Sequence, residues 1–320
     1  MLNTAPIIDA NINRVAEGLR VIEEYCRFIA GNKSLTDQLA TLRKTVAQTE
    51  SAETRISHLN ARETASDMRA KETPPQRKNL HDLLTANFKR VNEGLRVLEE
   101  YTGNAIYNQC RYDCYDLEKT ILLTLLKPII KPGIYLISHD PEILIKGLKW
   151  GVSLIQLRAK DETKETIYNK AQSLIQPAKD AGIPFIINDY LDIAKSLNAD
   201  GLHTGQDDIP ISDQRQLLGP HKLIGRTTHD LEQGLIAQSD GADYVSVGPI
   251  WDTPSKPNRP GIGMDYLQAA STELHIPYVA IGGINHSTID QVIPLSPPLI
   301  GLIRDYDRIP EMQTKLTTQN

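Results

Sequence analysis

Hydrophobic positions change their period once along this 320-residue chain. Up to about residue 130 they recur every three or four residues. From Gly133 onward they form short runs separated by longer amphipathic segments. In the first part Val15, Leu19, Ile22 and Cys26 fall on one stripe of a helix. The stripe returns as Val91, Leu95 and Leu98, because ANINRVAEGLRVIEEY, Ala10–Tyr25, recurs as ANFKRVNEGLRVLEEY, Ala86–Tyr101, at an offset of 76 residues. Such a recurrence marks a duplicated supersecondary unit. A second helical pattern follows each copy: Leu35, Leu39, Leu42 and Val46 after the first, and Cys110, Cys114, Leu117, Ile121 and Leu125 after the second. Two similar hairpins predict a four-helix bundle. Arg14 with Glu17, and Arg20 with Glu24, are spaced for same-face ion pairs, and these charges read as solvated. Gly18 and Gly94 sit mid-helix, where Gly costs about 1 kcal/mol against Ala. Keeping it twice implies close approach to another helix or to a ligand. Residues 61–80, polar and broken by Pro74–Pro75, read as the linker between the halves.

Lys127–Gly133 holds two prolines that break the preceding helix, so the chain divides there into residues 1–130 and 131–320. Beyond it eight apolar runs read as strands: Ile134–Ser138, Leu154–Lys160, Pro184–Asp189, Gly201–Gln206, Leu223–Thr228, Tyr244–Trp251, Pro277–Ile284 and Leu299–Arg304. Amphipathic segments such as Thr163–Ala181 and Tyr190–Asn198 lie between them. Alternating strand and helix implies a parallel sheet. Eight units in under 200 residues imply an α/β fold of the (β/α)8 TIM-barrel class, preceded by the all-α duplicated domain. The rival, a doubly wound open sheet, lacks the GxGxxG that would follow its first strand.

In such barrels the chemistry sits at the C-terminal strand ends. There Gln156, Arg158 and Lys160 alternate with Leu157 and Ala159, so an amide and two cations share one strand face, as a phosphate-rich ligand requires. An edge strand with a solvated face would show the same alternation. Other strand ends carry Asn188-Asp189, Gly205-Gln206-Asp207-Asp208, Arg226-Thr227-Thr228-His229, the run from Gly248 to Lys256, Gly282-Gly283 and Ile303-Arg304. Asp189 ends the third strand and Asp208 lies just past the fourth; neighbouring strands are about 4.8 Å apart, so both can reach one Mg2+. The alternative for each is a helix N-cap, and Asp207 is assigned that role. Gly282-Gly283, after a buried strand, supplies bare N–H groups for a second phosphate.

A net charge of -5 argues against nucleic acid as the main partner. No run of about 18 apolar residues predicts a membrane span, and the N-terminus shows no signal-peptide pattern. Three cysteines, Cys26, Cys110 and Cys114, give no disulfide framework and fit a reducing cytoplasm. Cys110 and Cys114 on one helix are too few ligands for zinc and read as buried thiols.

The ordered segments QLRAK, IND, GLHTGQDD, IGRTTH, VSVGPIWDTPSKP and VAIGGI make residues 133 to about 310 resemble the thiamine-phosphate synthases. The duplicated unit resembles the N-terminal extension that some members carry. The resemblance implies a transferase that joins 4-amino-2-methyl-5-hydroxymethylpyrimidine diphosphate to 4-methyl-5-(2-hydroxyethyl)thiazole phosphate. Thiamine phosphate and pyrophosphate are released. It implies that Gln156, Leu157, Arg158, Ala159, Lys160, Asn188, Thr227 and Lys256 contact the pyrimidine diphosphate. Thr253, Pro254, Ser255, Gly283, Ile303 and Arg304 would contact the thiazole phosphate, and Asp189 and Asp208 would hold Mg2+. Arg158, Lys160 and Lys256 would meet the charge growing on pyrophosphate as it leaves. The chain departs from the family at Thr227 (usually Ser), at Ser255 (usually Thr), at the proline-rich 294–298 segment and at Arg304 (often Ser). Small-molecule substrates are the expected partners, and a homo-oligomer is left open.

Two other functions fit parts of this pattern. A thiazole tautomerase on the same fold would not need the diphosphate set. A regulatory protein would bind thiamine phosphate without turnover.

Overall fold

The computed structural model describes residues 3–62, 76–254 and 260–317, and divides the chain into two compact units, Met1–Leu126 and Lys127–Asn320. In the first unit the described residues form five α-helices: α1 (Ala5–Glu24), α2 (Lys33–Ala47), α3 (Ala52–Asn60), α4 (Leu80–Thr102) and α5 (Ala105–Thr124). Asparagines cap three of them. Asn32, Asn79 and Asn104 each accept a hydrogen bond from a first-turn N–H, which satisfies donors that have no partner within the helix. The bundle therefore has a fifth helix, α3, that the apolar stripes do not announce. Part of the expected linker, residues 63–75 with Pro74–Pro75, lies outside the described residues.

Val15, Leu19, Ile22 and Cys26 of the first copy, and Val91, Leu95 and Leu98 of the second, are fully buried in one core. The two mid-helix glycines have a packing reason. A Cβ on Gly18 would lie 2.7 Å from Val91 Cγ2, and one on Gly94 would lie 2.7 Å from Val15 Cγ2. The close approach is thus to the other copy's helix, and it is reciprocal. The charges are less solvated than the sequence implies. Arg20 pairs with Glu24 as expected, but also with Glu23 at 3.0 Å. Glu23 is buried and accepts from Arg43 of α2 at 3.0 Å. Arg96, Glu99 and Glu100 repeat the arrangement, and Arg111 of α5 binds Glu99. In each copy one glutamate ties the two helices of a hairpin together. Arg14 leans on Asn11 Oδ1 rather than on Glu17.

The second unit is a closed barrel of eight parallel strands in sequence order. They are β1 (Gly133–Ser138), β2 (Leu154–Leu157), β3 (Phe185–Asn188), β4 (Gly201–Thr204), β5 (Leu223–Thr228), β6 (Tyr244–Val247), β7 (Tyr278–Ile281) and β8 (Leu299–Leu302). Several strands end earlier than their apolar runs. β2 stops at Leu157, where pairing with β3 ends at Leu157–Ile187, so Arg158, Ala159 and Lys160 belong to the rim loop. Tyr135, Ile137, Leu154, Ile186, Leu223, Tyr244, Val279 and Leu299 cluster as the inward-facing layers. Ile155, Leu157 and Ala159 pack outward under the helices. Among the described residues no helix is long and apolar enough to cross a membrane.

Candidate active site

Strand alternation sends Gln156, Asn188, His203, Thr227 and Ser246 into the barrel mouth. They line an open cavity with Tyr135, Arg158, Thr253, Gly282 and Ile303. Its floor is a continuous hydrogen-bonded row. Gln156 Nε2 donates to Tyr135 Oη at 2.6 Å, and the Tyr135 and Tyr244 hydroxyls meet at 2.8 Å. His203 Nδ1 lies 3.1 Å from Tyr244 Oη, and its Nε2 lies 3.0 Å from Thr227 Oγ1. The His203 ring stacks on Tyr244 with centroids 5.5 Å apart. Burial raises the Tyr135 and Tyr244 phenols above their ordinary pKa, so both stay protonated. A buried row with every member bonded is rigid, and it holds the Gln156 amide in one orientation. Gly225 makes the row fit: a Cβ there would come 2.5 Å from both Tyr244 Oη and His203 Nδ1.

The acidic rim differs from a pair of helix caps. Asp189 sits in the left-handed region at φ 63°, and its N–H donates to His203 O at 2.9 Å. Its carboxylate meets Lys160 Nζ at 3.2 Å. Helix α6 (Leu191–Ser196) starts after Tyr190 and has no side-chain cap. Asp208 Oδ2 accepts from the N–H of Gly205 at 2.7 Å. Asp207, assigned above to capping, is exposed and caps nothing. Helix α7 (Ile211–Leu218) begins after Pro210, also without a side-chain cap.

On the opposite side of the mouth Gly282 and Gly283 have φ of 100° and 73°, values that L side chains avoid. They also pack tightly. A Cβ on Gly282 would lie 2.5 Å from Pro249 Cβ, and one on Gly283 would lie 2.7 Å from Trp251 Cβ.

The structure thus brings Gln156, Arg158, Asn188, Thr227, Thr253 and Ile303 to one cavity. Lys160, Asp189, Asp208, Pro254, Gly283 and Arg304 are not among its lining residues. Leu157 and Ala159 form its outer backing. Arg304 is exposed beyond the end of β8, and among the described residues no ion pair joins it to Asp305 or Asp307. Ser255 and Lys256 lie outside the described residues. Tyr135, His203, Tyr244 and Ser246 were not singled out from the sequence. Their shared inward parity with Gln156 was the available signal, and it is readable only once the strand pairing is known.

Residues 127–299 match the family model for thiamine monophosphate synthase, and residues 6–120 match the ThiD2 family. A thiamine-phosphate synthase of Synechocystis sp. is 37% identical over 314 residues, covering 94% of this chain and 90% of that protein. The one from Thermosynechococcus vestitus is 38% identical, covering 93% and 89%. Among solved structures, a thiamine phosphate pyrophosphorylase from Pyrococcus furiosus aligns with a TM-score of 0.54 and 27% identity. It covers 61% of this chain and 98% of that one. Both units are matched within one relative, and the barrel overlies a solved pyrophosphorylase. The chain belongs to the thiamine-phosphate synthase family.

Proposed function

We propose that the barrel joins the aminopyrimidine diphosphate to the thiazole phosphate, releasing pyrophosphate. The observation that carries this reading is the two-sided mouth. One side gathers an amide, two cations and two carboxylates at the ends of β2 to β4, and the other offers a glycine turn after β7. On this reading the floor row fixes Gln156 against the aminopyrimidine ring, with Asn188 and Thr227 beside it. Arg158 and Lys160 meet the diphosphate, together with Lys256 of the β6 loop. Thr253, Ser255, Ile303 and the Gly283 turn take the thiazole phosphate.

The donor set fits a hard cation. Asp189 and Asp208 each use one carboxylate oxygen within the protein. Mg2+ needs only one or two carboxylates when substrate phosphates and water complete its shell. Asp189 and Asp208 would hold it, and when bound it would neutralise charge developing on the leaving diphosphate. The protein's own part is orientation and electrostatics. Lys160, paired with Asp189 at 3.2 Å, stands ready to turn toward a diphosphate. Positioning two rings in line and meeting the leaving charge accelerates the reaction without a protein nucleophile. The three unpaired cysteines support a cytoplasmic location, because a reducing compartment preserves thiols.

Pyrophosphate release with both substrates tests the reading. Wild-type enzyme turns over and stops in chelator, while Asp189→Asn and Asp208→Asn lose most activity. Conversion of the thiazole phosphate without the pyrimidine substrate would instead identify a tautomerase.

A further inference from the structure

Arg226 is the anomaly of β5. Leu223 belongs to the inward layer and Ile224 to the outward core, so alternation places Arg226 outward, where the barrel packs against its shell. Charged residues are almost never fully buried there without a partner. Arg226 is only 6% exposed, and among the described residues no carboxylate lies within ion-pair distance of it. Its guanidinium is spent on the backbone of the neighbouring β4–α7 loop. One arm donates to Gly205 O, and the other donates to Ile209 O at 2.9 Å.

Those two carbonyls bracket Asp208. Within the bracket, the Asp208 N–H returns to Gly205 O at 3.5 Å and its carboxylate accepts from the Gly205 N–H at 2.7 Å. The Gly205 residue is therefore held from both sides, by Asp208 on its N–H and by Arg226 on its C=O. Gln214 Nε2 adds a second bond to Ile209 O at 2.8 Å. Burial lowers the Arg226 pKa, and the charge that most offsets this is Asp208.

We propose that Arg226 is a positioning residue for the metal site: a planar fork that clamps both ends of the Gly205–Ile209 turn and so fixes the Asp208 carboxylate. This rests on the reading of Asp208 as a Mg2+ ligand. A guanidinium suits the task because its donors are fixed in one plane and can span two acceptors, whereas a lysine ammonium is a point donor on a flexible stem. Partners that orient a ligand typically change metal affinity 10- to 100-fold when removed.

The test uses the full-length protein and Mn2+ as the probe, titrated by loss of the free-ion EPR signal. The Mg2+ dependence of pyrophosphate release is measured alongside. Arg226→Met raises the Mn2+ Kd at least tenfold and the half-saturating Mg2+ in parallel, while the rate at saturating Mg2+ stays near wild type. Arg226→Lys, which keeps the charge and loses the fork, gives at least a threefold rise and carries the test if the Met variant does not fold. A purely structural role would lower the urea midpoint without moving the Mn2+ Kd, and that result overturns the proposal. Asp208→Asn separates the two layers of the argument. If it weakens Mn2+ binding while both Arg226 variants bind normally, the clamp alone is wrong. If it leaves the Kd unchanged, the assignment of Asp208 fails and the clamp with it.

Discussion

Gly225→Ala tests whether the floor of the mouth is as rigid as its hydrogen bonds imply. The backbone at Gly225 lies outside the left-handed region, so alanine meets no conformational barrier, only a shortage of space. Its Cβ would fall inside the contact radius of Tyr244 Cζ and 2.5 Å from Tyr244 Oη and His203 Nδ1. Tyr244 is fully buried and His203 nearly so, so neither ring can retreat into solvent. Overpacking of this kind costs about 1–3 kcal/mol. Pushing Tyr244 aside also breaks its bonds to Tyr135 and His203, and each buried polar group left unpaired costs about 1–3 kcal/mol. Replacing glycine in a strand returns only about 0.5–1 kcal/mol. The net loss is at least about 2 kcal/mol, a large part of the roughly 5–15 kcal/mol that holds a domain folded. Both tryptophans, Trp150 and Trp251, lie in the barrel unit, so tryptophan fluorescence during urea unfolding reports that unit alone. With a slope of about 2 kcal/mol/M, the midpoint falls by about 1 M. Gly205→Ala is the control. Its Cβ would meet only Asp208 Oδ2 at an ordinary 3.6 Å, so its midpoint stays within about 0.5 kcal/mol of wild type. A Gly225→Ala midpoint indistinguishable from that of the control would show that the floor yields and that its hydrogen bonds do not fix His203.

Arg158→Ala and Lys160→Ala each lower kcat/KM for the pyrimidine diphosphate about 100-fold, or about 2.7 kcal/mol. Steady-state kinetics check this, and a change confined to the thiazole phosphate would mean the cations serve the other subsite. Arg304→Ser raises KM for the thiazole phosphate several-fold if the guanidinium grips that phosphate. Unchanged KM values for both substrates would make Arg304 a surface residue. The thiols give a pH prediction. Burial pushes Cys26 and Cys110 up to about 11 and Cys114 up to about 12, from an ordinary value of 9.0. A thiol that stays neutral longer when folded than when unfolded stabilises fully below pH 9, and this contribution is lost as pH rises toward 11–12. Thermal melts by circular dichroism show the helical unit weakening over that window, less steeply in Cys114→Ala, and equal slopes for the two proteins would contradict the assignment.

Periodicity is a local property, so the architecture was legible along the chain. A period of 3.6 marked four of the helices, and short apolar runs marked the eight strands, while the 76-residue repeat announced two matching hairpins. The clustering of Gln156, Asn188 and Thr227 at one end of the barrel followed from the rule that parallel strands present their C-terminal ends together. The short helix α3 stayed hidden, having too few apolar positions to declare a face. Tertiary structure decided what depends on partners far along the chain. Gly18 meets Val91 only because two helices cross, and Glu23 is buried only because Arg43 reaches it from the next helix. The Tyr135–Tyr244–His203 row exists because three strands, scattered over more than a hundred residues, turn these side chains to one axis. Arg226 reads as one more rim cation in sequence. In three dimensions it is turned away from the mouth and bound to two carbonyls, because strand register, and not the residue type, sets which face a side chain occupies.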